Sequence, residues 1–167
     1  LCGTFGDIST FSFYANKHVT SGEGGALLTD NDEIFNKIKQ IRNLDFDNSE
    51  RFKHENFYWN YRLSGLQAAF GNSSIKSIEK VISMKIKKAK IYNDLFSKYM
   101  DLLQIPLAQL GGVMNHYWVY GIIPKIKFDR NKIMSNLFDD GIETRPFFYP
   151  LHKQPAFLKM SSETFNC

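Results

Sequence analysis

Ser12-Phe13-Tyr14-Ala15-Asn16-Lys17-His18-Val19-Thr20-Ser21-Gly22-Glu23-Gly24-Gly25 sets one lysine between an aromatic strand and a glycine-rich turn. An amine attacks a carbonyl only when neutral, a state that a site arranges by burial or by a neighbouring cation. Lys17 is therefore a candidate covalent anchor for a cofactor. Upstream, residues 7–14 alternate as a strand, with Ile8, Thr10, Ser12 and Tyr14 on one face and Ser9, Phe11 and Phe13 on the other. Lys17 then lies just past the strand's end. Residue chemistry alone also allows a solvated lysine followed by a plain hairpin turn at Gly22-Glu23-Gly24-Gly25. It does not allow a nucleotide-binding P-loop, whose Lys-Ser or Lys-Thr follows the glycines, whereas Lys17 precedes them.

The pattern Gly6-Asp7, Phe11-Ser12-Phe13, Lys17 and Gly22-Glu23-Gly24-Gly25 resembles the Schiff-base segment of the pyridoxal-phosphate-dependent nucleotide-sugar aminotransferases, the DegT/DnrJ/EryC1/StrS family. Two further blocks follow in the family's order. Asn60-Tyr61-Arg62-Leu63 with Gln67-Ala68-Ala69-Phe70-Gly71 is similar to the Asn-Tyr-Arg-Met block and its alanine-rich helix. The run from Gly141-Ile142-Glu143-Thr144-Arg145 through Pro146-Phe147-Phe148-Tyr149-Pro150-Leu151-His152 is most similar to enzymes that form perosamine from a GDP-linked 4-keto-6-deoxy-mannose. Two positions depart from the pattern. Tyr58 replaces a glycine before the asparagine, and Ser74-Ile75 replaces a Gln-Leu pair after the alanine helix.

The resemblance implies an α/β chain, the C-terminal part of the aspartate-aminotransferase-like fold. Residues 1–76 would complete the cofactor-binding large domain, 77–100 would form a bridging helix and 101–167 a small, incomplete C-terminal domain. Family members are much longer, so the expectation is a partial chain: a fragment, a split gene product or a degraded copy. The helix that holds phosphate, the ring-stacking residue and the aspartate facing the pyridine nitrogen would lie in the missing N-terminal half. Residues 161–167 would stop short of the final strand and helix.

The 167 residues are 43% hydrophobic and 15% aromatic, which fits a globular protein rather than a disordered one. A net charge of +4 arises from 21 basic residues interspersed with 17 acidic ones, so no nucleic-acid footprint stands out. The dense basic run Lys85-Ile86-Lys87-Lys88-Ala89-Lys90 falls in a helical pattern and reads as a solvated face. Apolar runs are too short to cross a membrane, and no secretory layout opens the chain. Cys2 and Cys167 form no Cys-x-x-Cys pair and fit a reducing cytoplasm, while His18, His54, His116 and His152 lack ligand spacing, so no metal is expected.

Patterning predicts a strand at 25–29, a helix capped by Asp30 or Asn31 through Asn43 that packs on the sheet, and a long loop over 44–58. It further predicts a Ser64-capped helix over 65–72 and a helix from Ser77 to Met100. Strands are expected at 117–123 and 143–148, and a helix capped by Asp129 runs to Asp140.

The resemblance assigns roles. Lys17 matches the family's lysine, which anchors pyridoxal 5'-phosphate and then shuttles a proton while glutamate serves as amino donor. Ser12 matches a serine that hydrogen-bonds the cofactor phosphate. Asn60 matches the asparagine that reaches the partner subunit's phosphate, which implies a homodimer with shared sites. Arg62 is a weaker binding candidate, and a guanidinium satisfying helix ends or carboxylates is its structural alternative. Arg145, Tyr149 and His152 are candidates for the nucleotide-sugar substrate, arginine for phosphate oxygens and the others for sugar hydroxyls. Surface-glycan assembly, such as polysaccharide or lipopolysaccharide, is the pathway class implied. Two alternatives stand beside this reading: a catalytically incomplete paralogue acting only as an interaction partner, and a sugar dehydratase, in which histidine replaces the anchoring lysine.

Overall fold

The computed structural model describes residues 3–46 and 52–158. Cys2, Cys167, residues 161–167 and part of the expected loop, 47–51, lie outside the described residues. The chain divides into two compact units, Leu1–Ile91 with Gly112–Trp118, and Tyr92–Gly111 with Val119–Cys167. The second contains most of 101–167, but Gly112–Trp118 joins the first unit.

In the first unit, β1 (Ser9–Ser12) pairs antiparallel with β2 (Gly25–Leu28), with Ser12 opposite Gly25 and Ser9 opposite Leu28. Helix α1 (Asp32–Arg42) starts where Asn31 accepts from the Glu33 and Ile34 N–H groups, satisfying two donors that the first turn leaves unpaired. Asp32 and Glu33 in its first turn and Lys39 and Arg42 in its last complement the helix dipole. The expected packing of α1 on the sheet is not found: none of its residues is buried, and Phe35 is exposed. A two-stranded ribbon is too narrow to cover a helix face. Helix α2 (Gly65–Ile75) opens with a capping box, Ser64 accepting from the Gln67 N–H and Gln67 Oε1 accepting from Ser64, and runs three residues beyond its expected end.

Helix α3 (Ile78–Phe96) enters from the first unit and continues into the second. Ala89 of this helix and Tyr117 are the buried hydrophobic residues among those described. Lys85 departs from the solvated basic face expected of it. It is half-buried and donates from Nζ to the Trp118 carbonyl at 2.8 Å; burial and then the charge of Lys88 lower its pKa.

The stretch after α1 is irregular, as expected for a loop, but it is built around one carboxylate. Asp45 is fully buried and accepts from Gln40 Nε2, from the Glu55 and Asn56 backbone N–H groups at 2.8 and 2.7 Å, and from Asn56 Nδ2. His54 Nδ1 donates to the Leu44 carbonyl, and Leu44 and Asp45 take left-handed φ values of 58° and 65°. Burial pushes the Asp45 carboxyl up, but its hydrogen bonds outweigh this, and its pKa lies below the ordinary 3.8. A lowered pKa means that the carboxylate's contribution is complete above the ordinary range and is lost as pH falls through the folded value. The Glu55 and Asn56 amides are therefore expected to keep their hydrogen-exchange protection down to about pH 4 and lose it in stronger acid. Asp45→Ala, which removes both acceptor oxygens, should abolish that protection already at neutral pH. Unchanged exchange in the variant would refute this account of the loop.

The second unit holds β3 (Leu103–Gln104) paired antiparallel with β6 (Ile123–Pro124), the short strand β4 (Gln109–Leu110) and α4 (Arg130–Asp139) capped by Asp129, while the short strand β5 (Val113–Met114) belongs to the first. A short α5 (Pro155–Leu158) closes the described chain. Tyr92, Phe96 and Tyr120 cluster, with the Tyr92 and Tyr120 rings 4.9 Å apart and Tyr120 Oη donating to Asn93 Oδ1 at 2.6 Å. The strand expected at 117–123 shrinks to its last residue plus Pro124, because Tyr117 sits at φ +49°, which breaks an extended run. Residues 143–148 likewise carry no ladder. No helix among the described residues is long and apolar enough to cross a membrane.

Candidate active site

The lysine turn is held at almost every residue. The Phe13 N–H donates to Gly24 O at 2.8 Å and Phe13 O accepts from the Ser21 N–H at 3.0 Å, so the turn closes beyond the end of β1. Thr20 Oγ1 donates to Phe13 O at 3.0 Å and accepts from the Gly22 N–H at 2.9 Å. Ser21, which is buried, donates from Oγ to Glu23 O at 2.6 Å. Helix α2 braces the same turn: Ser74 Oγ accepts from the Thr20 N–H at 3.0 Å. The departure from the family pattern at Ser74 is thus a tie between helix and lysine loop. Gly24 is required, since its φ is +126° and a Cβ there would stand 2.7 Å from Leu63 Cδ1.

Lys17 itself is half-buried, not a solvated surface charge. Its N–H donates to Tyr14 O at 3.0 Å, and the Tyr14 N–H donates to Ser12 Oγ at 3.3 Å, so two candidates share one turn. Its ammonium lies 3.3 Å from the centroid of the Trp118 ring. Neighbouring His18 donates from Nε2 to His116 O at 2.9 Å, the acceptor carbonyl fixing that tautomer.

Asn60 and Arg62 form a second cluster of the same unit. Asn60 bridges Asn43 at the end of α1, and the Tyr61 N–H donates to Arg42 O at 3.0 Å. Asn60 Oδ1 accepts from both the Arg62 N–H at 3.2 Å and Arg62 Nε at 2.9 Å. A guanidinium can only donate, so this pairing fixes the amide's orientation and leaves Nδ2 as the group that can donate elsewhere. Arg62 therefore satisfies neither a helix end nor a carboxylate through Nε; it orients Asn60. Among the described residues no hydrogen bond joins Asn60 to Lys17.

Arg145, Tyr149 and His152 belong to the second unit. Arg145 is exposed and pairs with Glu143, Tyr149 is exposed, and His152 is half-buried in a single helical turn. Reading the sequence missed Thr20, Ser21, Ser74 and Trp118. The Thr-Ser pair before a glycine turn carries a signal, since such hydroxyls bond nearby backbone; Trp118 carries none, reading as one more aromatic of a core strand.

Lys17 presents an amine and Ser12, on the same turn, a hydroxyl, groups whose chemistry suits a ligand with an aldehyde and a phosphate, as in pyridoxal phosphate. Similarity to known proteins agrees. The chain is 35% identical over 167 residues to GDP-perosamine synthase of Vibrio cholerae, covering 97% of this chain and 44% of that protein. Its structure matches Helicobacter pylori PseC, an aminotransferase involved in the biosynthesis of pseudoaminic acid, with a TM-score of 0.87 at 24% identity over 99% of this chain and 45% of that one. It also matches Escherichia coli GDP-4-keto-6-deoxy-D-mannose-3-dehydratase with bound hydrated PLP, with a TM-score of 0.75 at 26% identity over 95% and 43% of the two chains. The chain thus spans less than half the length of these relatives, and its mixed α/β fold is the C-terminal part of theirs. The family model matches residues 1–166, and the chain belongs to the DegT/DnrJ/EryC1/StrS aminotransferase family.

Proposed function

We propose that the protein transfers an amino group from glutamate to a nucleotide-linked 4-keto-6-deoxy sugar, as a GDP-perosamine synthase does, in surface-glycan biosynthesis in the cytoplasm. The observation that carries this reading is Lys17, half-buried on the hydrogen-bonded turn that follows β1. In it, residues 1–76 belong to the cofactor-binding domain, 77–100 bridge, and 101–167 form the small domain.

Pyridoxal phosphate, when bound, supplies the electron sink that stabilises negative charge at the carbon losing a proton. The chain's own residues do the rest. Lys17 would hold the cofactor covalently and would carry the proton taken from the donor's Cα. Ser12 donates its hydroxyl to phosphate, and Asn60, oriented by Arg62, donates Nδ2 to the phosphate of the partner in a homodimer. Arg145 pairs with nucleotide phosphate, and Tyr149 and His152 bond sugar hydroxyls.

The test is to incubate the full-length protein with GDP-4-keto-6-deoxy-mannose and glutamate and to identify the product by mass and NMR. A sugar with an amine at C4 is expected. A product that has instead lost its 3-hydroxyl would identify the dehydratase, the reading that a structural match to such an enzyme favours; an unchanged sugar would overturn both.

A further inference from the structure

The Lys17–Trp118 contact is built rather than incidental. Trp118 is held by both side chain and backbone: the indole Nε1–H donates to Asn16 O at 3.1 Å, and the backbone carbonyl accepts from Lys85 Nζ of α3 at 2.8 Å. The residue before it, Tyr117, is buried, takes φ +49° and donates its N–H to Asn115 Oδ1 at 2.8 Å. These contacts turn the ring's face to the Lys17 ammonium, 3.3 Å from its centroid. An aromatic face attracts an ammonium, and tryptophan does so best; it offers nothing comparable to a neutral amine.

From this juxtaposition, and resting on the anchor role proposed for Lys17, we infer that Trp118 is a positioning residue: its ring is the perch on which the Lys17 ammonium rests whenever the lysine is not bonded to cofactor. Capture of an aldehyde then moves the nitrogen off the ring. One C=N bond forms, the aldehyde oxygen leaves as water with two of the ammonium protons, and the nitrogen keeps one proton and the positive charge. The perch prevents the long side chain from dispersing between turnovers, at the cost of competing with capture. Lys98 over Tyr99, Lys37 over Tyr58 and Lys39 over Phe35 lie farther from their rings, at 5.1, 5.2 and 5.8 Å.

The test is competitive acetylation of the full-length protein without cofactor, scored by peptide mass with the exposed Lys87 and Lys90 as internal references. Trp118→Leu should raise Lys17 labelling about two- to five-fold over the references, and Trp118→Phe should fall between it and the parent protein. Trp59 and Trp118 are the tryptophans of these 167 residues, so the Trp118 signal is taken as the difference in emission between the protein and its Trp118→Phe variant. That signal should change when pyridoxal phosphate is captured at Lys17, and should not respond to cofactor in Lys17→Met. Equal Lys17 labelling in the parent and both Trp118 variants, or emission indifferent to capture, overturns the perch. The anchor reading fails separately, if borohydride traps no cofactor on Lys17 of the parent, and the positioning role then falls with it.

Discussion

Lys17→Ala is expected to abolish covalent capture of pyridoxal phosphate and to lower amino transfer by at least about 10²–10⁴-fold, the range that a positioned proton-transfer group alone supplies. The loss should exceed that of any other single substitution in the site, because one nitrogen performs two tasks, covalent holding and proton transfer. The fold should survive. The turn is tied by the Lys17 N–H to Tyr14 O, by Thr20 and by Ser21, none of which uses the lysine side chain. Lys17→Arg sharpens the experiment, since it retains a cation to lie over Trp118 but cannot form the imine. Both variants should unfold at the same denaturant concentration as the parent and leave no cofactor on the peptide after borohydride. Trapping at a different lysine, with activity retained, would remove Lys17 from the mechanism.

Gly25→Ala is expected to cost about 1–3 kcal/mol, the range for forcing an extra methyl into a packed place. A Cβ on Gly25 would stand 2.5 Å from the Phe11 carbonyl oxygen, and a backbone atom in a paired strand cannot swing aside as a side chain can. Gly25 faces Ser12 in the ladder, so relief of the clash must part β1 from β2 beside a proposed phosphate ligand. Gly22 gives the contrast. Its φ is +82° with nothing within 4 Å of a Cβ, so Gly22→Asn, a residue that tolerates this conformation, should cost distinctly less. The denaturation midpoint and the exchange rate of the Phe13 amide, bonded to Gly24 O, measure both. Equal costs for the two variants would show that the close approach at Gly25 relaxes.

How far the fold could be read from residues depended on the range of the interaction concerned. The starts of α1, α2 and α4 were legible because Asn31, Ser64 with Gln67, and Asp129 act on N–H groups two or three residues away. The hairpin was legible through alternation and glycines. The strands at 117–123 and 143–148 were not, because an alternating or aromatic run states only that a segment could pair; a ladder needs a partner, and Tyr117 instead turns left-handed. Asp45 is the same lesson for a loop. Its composition resembles any polar stretch, and only the converging Gln40, Glu55 and Asn56 donors reveal a buried centre.

The candidate site divides along the same line. Residue order singled out Lys17 and Ser12 as candidates and predicted the glycine turn, since a strand, a lysine just past it and a tight turn are local and must be spelled in order. Only tertiary structure decided that Arg62 fixes the orientation of Asn60, that Ser74 of α2 braces the lysine loop, and that Trp118 lies over the Lys17 ammonium. Asn16 and Trp118 are 102 residues apart. Closing so long a loop depends on the packing of everything between, which no local pattern encodes.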